Sequence, residues 1–369
     1  MINQSELIQT LDTPAVVIDL DALDGNLRRT AERAARSGVK LRPHTKTHKS
    51  VWVAKKQLEY GACGITVAKL GEAEVMAAAG IDDILLAYPI VGKRKLERLG
   101  KLLGIARITV STDNYEVAQG ISELGVSLGK RIPLYVDVNT GLGRLGKEPG
   151  APTADLVERI ASLPGVEVTG LMTHSGHAYG KGSEEEILAV AIHEAQSLLT
   201  TKELLRQRGI DVREVSVGST PTSKFALQLP PGVTEMRPGA YVYGDVSQLV
   251  THTMEESQCA MRVFATVVGL PRPGTVVIDA GSKTLTTDVN GARKGYGLLP
   301  AHPDVIVERL SEEHGNLTVP EGTRFHIGDV VEIIPNHCCT VTNLHDRLIG
   351  VRDGRVERYI QVDGRGKIN

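Results

Sequence analysis

The sequence predicts an α/β protein in which a (β/α)8 barrel is followed by a separate all-β domain. Two observations carry this expectation. From about residue 15 to 245, short β-branched runs alternate with longer stretches whose apolar residues recur at i, i+3 and i+4. Helices between strands allow the strands to lie parallel, and eight such units suit a closed barrel. After about residue 250 the helical period stops, and short apolar runs are split by turn pairs such as Pro273-Gly274 and Asp353-Gly354. A doubly wound open sheet competes for the first part, but no Gly-x-Gly-x-x-Gly turn opens a strand–helix unit, which favours the barrel.

In chain order, the predicted barrel strands cover residues 39–44, 64–68, 84–88, 107–111, 134–139, 169–174, 214–218 and 234–237. The helices between them cover 69–79, 93–103, 115–124, 154–162 and 184–208, each with apolar residues at i, i+3 and i+4. The β-domain runs are 263–268, 276–278, 305–310, 330–334, 347–351 and 356–362. These readings divide the chain into a barrel with its N-terminal segment, 1–248, and a β-domain, 249–369.

The 369 residues are 41% hydrophobic and 23% charged, values of a soluble globular protein. Lys+Arg total 42 against 44 for Asp+Glu, so no bulk attraction to nucleic acid or anionic membrane is expected, and a small-molecule substrate is the default. Four cysteines, two of them adjacent, form no disulfide scaffold, which points to a reducing, cytoplasmic compartment. Residues 1–14 lack a basic then apolar leader pattern, and no run approaches the roughly 18 apolar residues of a membrane span.

Barrel chemistry gathers at the C-terminal ends of the strands. The first predicted strand ends in Arg42-Pro43-His44-Thr45-Lys46-Thr47-His48-Lys49. A lysine held among cations and partly desolvated loses its proton more readily, which suits a Schiff-base amine; a solvated basic loop or a plain anion patch is the alternative. The seventh strand ends in Gly218-Ser219-Thr220-Pro221-Thr222, where hydroxyls and backbone N–H groups suit a phosphate, although an ordinary helix cap reads the same way. A phosphate site across from a first-strand lysine is the layout pyridoxal 5'-phosphate requires. His174 and Tyr179 after the sixth strand, Arg144 in a glycine-rich loop, and Gly239 and Tyr241 after the eighth are further cofactor-binding candidates that packing roles would explain equally well.

In the β-domain, Pro335-Asn336-His337-Cys338-Cys339 stands out. On an extended segment His337 and Cys339 point to the same face, and imidazole plus thiolate suits Zn²⁺ with positions left open for water or substrate. Buried cysteines without ligand duty are the commoner case.

With these residues in view, the chain resembles the D-serine dehydratase / D-threonine aldolase family of fold-type III pyridoxal-phosphate enzymes, relatives of alanine racemase. The resemblance rests on Leu11-Asp12-Thr13-Pro14, the Pro43-His44-Thr45-Lys46 element, the segments around His174 and Ser219, Arg237-Pro238-Gly239, Ile278-Asp279-Ala280-Gly281, Glu313-His314-Gly315 and the Pro-x-His-x-Cys element ending at Cys339. It implies that Lys46, rather than Lys49, is the catalytic lysine that holds the cofactor. It also implies that Gly218, Ser219, Thr220, Gly239 and Tyr241 lie by the phosphate, with Arg144, His174 and Tyr179 near the cofactor. His337 and Cys339 would bind a divalent metal, Zn or Mn, and the protein would be a homodimer.

The resemblance further implies a lyase acting on D-3-hydroxy amino acids. Dehydratases of the family commonly show His-x-Cys and aldolases His-x-Asp, so Cys339 favours β-elimination to a 2-oxo acid and ammonia. Asn343-Leu344-His345-Asp346 resembles the aldolase side, leaving retro-aldol cleavage to glycine and an aldehyde as the alternative. An amino-acid racemase ranks below both, because a metal has no evident task there. The non-enzyme reading is a pyridoxal-phosphate carrier or homeostasis protein; such relatives lack the appended β-domain, so residues 250–369 count against it.

Overall fold

The computed structural model describes residues 11–289 and 293–369. The leader reading therefore falls largely on residues 1–10, outside the described set. Among the described residues no helix is long and apolar enough to cross a membrane.

The polypeptide divides into two compact units. One comprises Thr30–Lys46, Val53–Gly239 and Gly366–Asn369. Its eight strands are β2 (Lys40–Leu41), β3 (Ile65–Val67), β4 (Asp83–Leu86), β5 (Arg107–Thr112), β6 (Ile132–Asp137), β7 (Val166–Met172), β8 (Glu214–Val217) and β9 (Glu235–Met236). All neighbouring pairs are parallel, in the order β2-β9-β8-β7-β6-β5-β4-β3. A parallel bridge between His44 and Thr66, with the Thr66 N–H donating to Pro43 O at 2.8 Å, joins β2 to β3 and closes the ring. The predicted barrel is the observed one.

Its helices match the predicted ones within a few residues: α3 (Leu70–Ala78), α4 (Lys93–Leu102), α5 (Tyr115–Ser127), α6 (Ala151–Ala161) and α7 (Glu184–Gln207). Local chemistry explains their starts. Asn114 Oδ1 accepts the N–H groups of Glu116 and Val117, and Ser183 Oγ accepts that of Glu186 ahead of three glutamates in the first turn of α7. Glycine is required where backbones touch: a Cβ on Gly165 would lie 2.0 Å from Ser122 O, and one on Gly170 would lie 2.6 Å from the Tyr135 ring that fills the barrel.

A polar chain runs through the barrel interior. Arg42 bonds Asp83 at 2.5 Å and the fully buried Glu235 at 2.6 Å; Ser216 Oγ donates to the other Glu235 oxygen at 2.6 Å, and Arg237 donates to Ser216 Oγ and Thr173 O. Each charged group of this network has an opposite or hydrogen-bonding partner, as burial demands.

The second unit contains the segment up to Arg29, Thr47–Trp52 and Ala240–Arg365. Its sheet is mostly antiparallel and includes β10 (Met261–Arg272), β11 (Thr275–Ile278), β12 (Ile306–Leu310), β13 (Gly315–Thr318), β14 (Val330–Ile333), β15 (Arg347–Arg352) and β16 (Arg355–Gln361). The division at 248/249 differs from this. Strand β1 (Ala15–Asp19) pairs antiparallel with β10 and parallel with β15, so the N-terminal strand belongs to the β unit, not to the barrel. The unit boundary then falls inside α1 (Leu20–Ser37). Thr13 Oγ1 donates to Asp279 Oδ2 at 2.6 Å, which gives those two motif residues a structural task.

Candidate active site

The mouth of the barrel brings together residues far apart in sequence. Lys46 sits in the turn Thr45–Thr47 directly after the His44 bridge, and its N–H lies 3.4 Å from His44 Nδ1. His174 follows β7, its Nδ1 3.4 Å from Gly218 O. Desolvation, then Lys46, His174, Arg237 and Arg144, pushes the His44 imidazole well below its ordinary value. His174 is driven to about 3 by desolvation first, then by Lys46, Arg144 and Arg237. Both imidazoles are neutral at pH 7, so their nitrogens accept as well as donate.

The loop after β8 lies in the same unit. Gly218 takes φ +107°, a conformation that glycine permits, and Ser219 and Thr220 are buried. Ser219 caps the short helix α8 (Thr220–Ser223): its N–H donates to Thr222 Oγ1 at 3.0 Å, and Ser175 Oγ donates to Ser219 Oγ at 3.2 Å. The cap reading of this turn is therefore realised. Gly239 N–H donates to Thr220 Oγ1 at 3.2 Å, bringing the loop after β9 alongside. Tyr179 lies half-buried on the turn Gly176–Gly180, and Arg144 is exposed on its loop. Tyr241 is buried but belongs to the other unit, as does Lys49. Lys49 is buried with φ +49°, and its carbonyl accepts Gly364 N–H at 2.8 Å. It is packed into the β unit, whereas Lys46 stands among His44, His174, Arg144 and Arg237.

Two desolvated carboxyls of the barrel carried no sequence signal. Glu194 on α7 accepts Gly218 N–H through Oε2 at 3.2 Å, while Oε1 has no partner. Desolvation pushes it up to about 7, against the pull of Thr222, Ser175, Gly218 and Arg237. Asp137, at the end of β6, is pushed up to about 6, chiefly by desolvation.

The β unit holds the second cluster. His337 is the N-cap of α9 (Cys338–Leu344), which corrects the extended geometry expected for this segment: Cys339 is the second helical residue, not the next residue on one face of a strand. The helix forms in a β-branched run because side chains tie its first turn. Thr340 and Thr342 hydroxyls donate to His337 O and Cys338 O, and buried Asp245 accepts Cys338 N–H at 3.0 Å. The His337–Cys339 juxtaposition survives this change. Cys339 is the leading cause that raises the His337 imidazole to about 10, opposed by desolvation and aided by Asp245 and Asp288. His337 Nδ1 lies 2.7 Å from Asp288 Oδ2, and Cys339 Sγ lies 3.2 Å from Thr47 Oγ1. Cys338 is fully buried, and desolvation pushes its thiol well above the ordinary range, so it stays protonated.

The comparisons bear on the family and the fold. Residues 18–247 match the alanine racemase N-terminal domain, and residues 260–351 match the serine dehydratase domain. The chain is 34% identical over 360 residues to a D-threonine aldolase of Arthrobacter sp., covering 96% of this chain and 93% of that one. The chain belongs to the D-serine dehydratase / D-threonine aldolase family. Members of this family are fold-type III pyridoxal-phosphate lyases. Another relative, D-threo-3-hydroxyaspartate dehydratase of Delftia sp., is 35% identical over 352 residues, covering 90% of this chain and 92% of its own. The crystal structure of D-threonine aldolase from Filomicrobium marinum superposes with a TM-score of 0.89 at 32% identity over 97% of both chains.

The donor sets fit the groups the family implies. A lysine amine beside two neutral imidazoles, two arginines and a hydroxyl-rich loop suits an aldehyde-bearing anion. An imidazole and a sulfur in contact suit a borderline-soft divalent ion. Among the described residues no group of three or more His, Cys, Asp or Glu side chains could hold a metal. Two protein ligands would leave the remaining positions to water or substrate.

Proposed function

We propose that this protein is a pyridoxal-phosphate- and divalent-metal-dependent dehydratase of D-3-hydroxy amino acids that releases a 2-oxo acid and ammonia by β-elimination, working as a cytoplasmic homodimer. The observation that carries the reading is the pair itself, His337 as N-cap and Cys339 as the second residue of the helix it opens, a sulfur rather than a second carboxylate. When bound, the cofactor would supply an electron sink for charge at Cα, and a Zn or Mn ion would stabilise negative charge on the departing β-oxygen.

The chain's own groups do the rest. Lys46 Nζ is the amine that would hold the cofactor and, once freed by the substrate amine, the base for the Cα proton. The Gly218-Ser219-Thr220 loop, with Gly239 and Tyr241, would seat the phosphate. Arg144, His174 and Tyr179 would orient the ring, and the neutral state of His174 favours hydrogen bonding over charge repulsion with Lys46. His337 Nε2 and Cys339 Sγ would hold the ion.

Retro-aldol cleavage is the second reading, supported by the similarity to the Arthrobacter aldolase over nearly the whole chain. Product analysis with D-threonine separates the two. On the protein loaded with pyridoxal phosphate and metal, 2-oxobutanoate and ammonia are expected; glycine and acetaldehyde would overturn the dehydratase assignment.

A further inference from the structure

We propose that Asp288 is the positioning residue that commits His337 to metal binding through Nε2; the inference rests on the metal reading above. Asp288 Oδ2 lies 2.7 Å from His337 Nδ1. A carboxylate only accepts, so Nδ1 keeps its proton in this bond, and Nε2 is the ring nitrogen whose proton a metal would displace. The same carboxylate oxygen accepts the Thr340 hydroxyl at 2.9 Å, so one oxygen ties the side chains on both sides of Cys339. The backbone of Asp288 is itself anchored: its carbonyl accepts Asn336 Nδ2 at 2.9 Å, and that buried amide also donates to Gly295 O at 2.9 Å. Asp288 is thus tied to the residue that precedes the ligand histidine as well as to its ring.

Asp288 is not counted as a third ligand: among the described residues no group of three or more His, Cys, Asp or Glu side chains could hold a metal, and its Oδ2 is already shared by two donors. Nor is it a stability element. The side chains of Asp288 and His337 are 40% and 44% exposed, and an ion pair that open adds little to folding. Its effect belongs in ring orientation and ligand basicity, where such outer partners are worth roughly 10–100-fold in metal affinity.

The test is Zn²⁺ affinity of the cofactor-loaded protein, by competition with a chromophoric chelator, for wild type and Asp288→Ala, Asp288→Asn and His337→Ala. The visible cofactor absorbance and the thermal midpoint report on the barrel and on folding. Expected results are loss of the tight site in His337→Ala and 10–100-fold weaker binding in Asp288→Ala. Asp288→Asn, which keeps an acceptor oxygen, should fall between that variant and wild type. Wild-type affinity in Asp288→Ala while His337→Ala has lost the site overturns the role of Asp288 alone. Wild-type affinity in His337→Ala overturns the metal reading, and this inference with it. Should the alanine variant fail to fold, wild-type affinity in the asparagine variant together with Thr340→Val overturns the positioning role.

Discussion

Replacing Glu194 with glutamine should change how the cofactor-free protein responds to pH. Glu194 is 1% exposed and accepts Gly218 N–H through one oxygen, and desolvation, outweighing the pull of Thr222, Ser175, Gly218 and Arg237, raises its pKa to about 7 from 4.5. The folded-state pKa then exceeds the unfolded one. The folded protein holds a proton that the unfolded chain releases between about pH 4.5 and 7, so stability is full below that window and is lost as pH rises through it. At about 1.4 kcal/mol per pH unit the whole loss is about 3 kcal/mol, with most of it falling between pH 5 and pH 8. Glutamine keeps an acceptor for Gly218 N–H, adds a donor toward the Thr222 or Ser175 hydroxyl, and does not titrate. Urea denaturation of both proteins at pH 5, 6, 7 and 8 measures the difference directly. Asp137 also titrates in this range, but it is common to both proteins and cancels. Glu194→Gln should gain about 2–3 kcal/mol on wild type between pH 5 and pH 8. A difference that stays constant within about 0.5 kcal/mol would refute the argument that this carboxyl is protonated in the folded state.

Lys46→Ala should abolish the visible absorbance of the cofactor-loaded protein and Lys49→Ala should keep it, because only Lys46 stands within the cluster of His44 and His174; the opposite spectra would reverse the lysine assignment. Arg42→Leu leaves the fully buried Glu235 without its cation and should cost about 3–5 kcal/mol in urea denaturation, most of it recovered when Glu235→Leu is added. Gly165→Ala drives a Cβ to 2.0 Å from Ser122 O, a backbone contact with no side-chain escape, and should cost about 1–3 kcal/mol or more; an unchanged denaturation midpoint would contradict the close approach.

The barrel strands and five of its helices could be read from the sequence because each signal is local: a period of 2 or 3.6 is written within a dozen residues. The membership of β1 could not. Ala15-Val16-Val17-Ile18 is an apolar run that any sheet would bury, and its partner Phe264 lies some 250 residues away. Helix α2 (Val51–Glu59) escaped for a different reason, since Val51-Trp52-Val53 carries β-branched and aromatic residues at a strand-like spacing. The segment Pro335–Cys339 read as extended, whereas Cys338 and Cys339 open a helix whose first turn is tied by the remote Asp245 carboxylate and by the Thr340 and Thr342 hydroxyls. The site followed the same division. Lysine, histidine and cysteine declare their chemistry by type and spacing, so Lys46, His337 and Cys339 were visible as candidates. Aspartate and glutamate do not, because most of them solvate a surface. What distinguishes Glu194, Asp137, Asp245 and Asp288 from the remaining acidic residues is their setting, the first three desolvated and the last bonded to a ligand imidazole. That setting is created by other elements of the fold. Glu194 is therefore the more demanding test of the structure: Lys46 could have been chosen from the sequence, whereas a carboxyl that holds its proton near pH 7 follows from the burial of α7 against the loop that begins at Gly218.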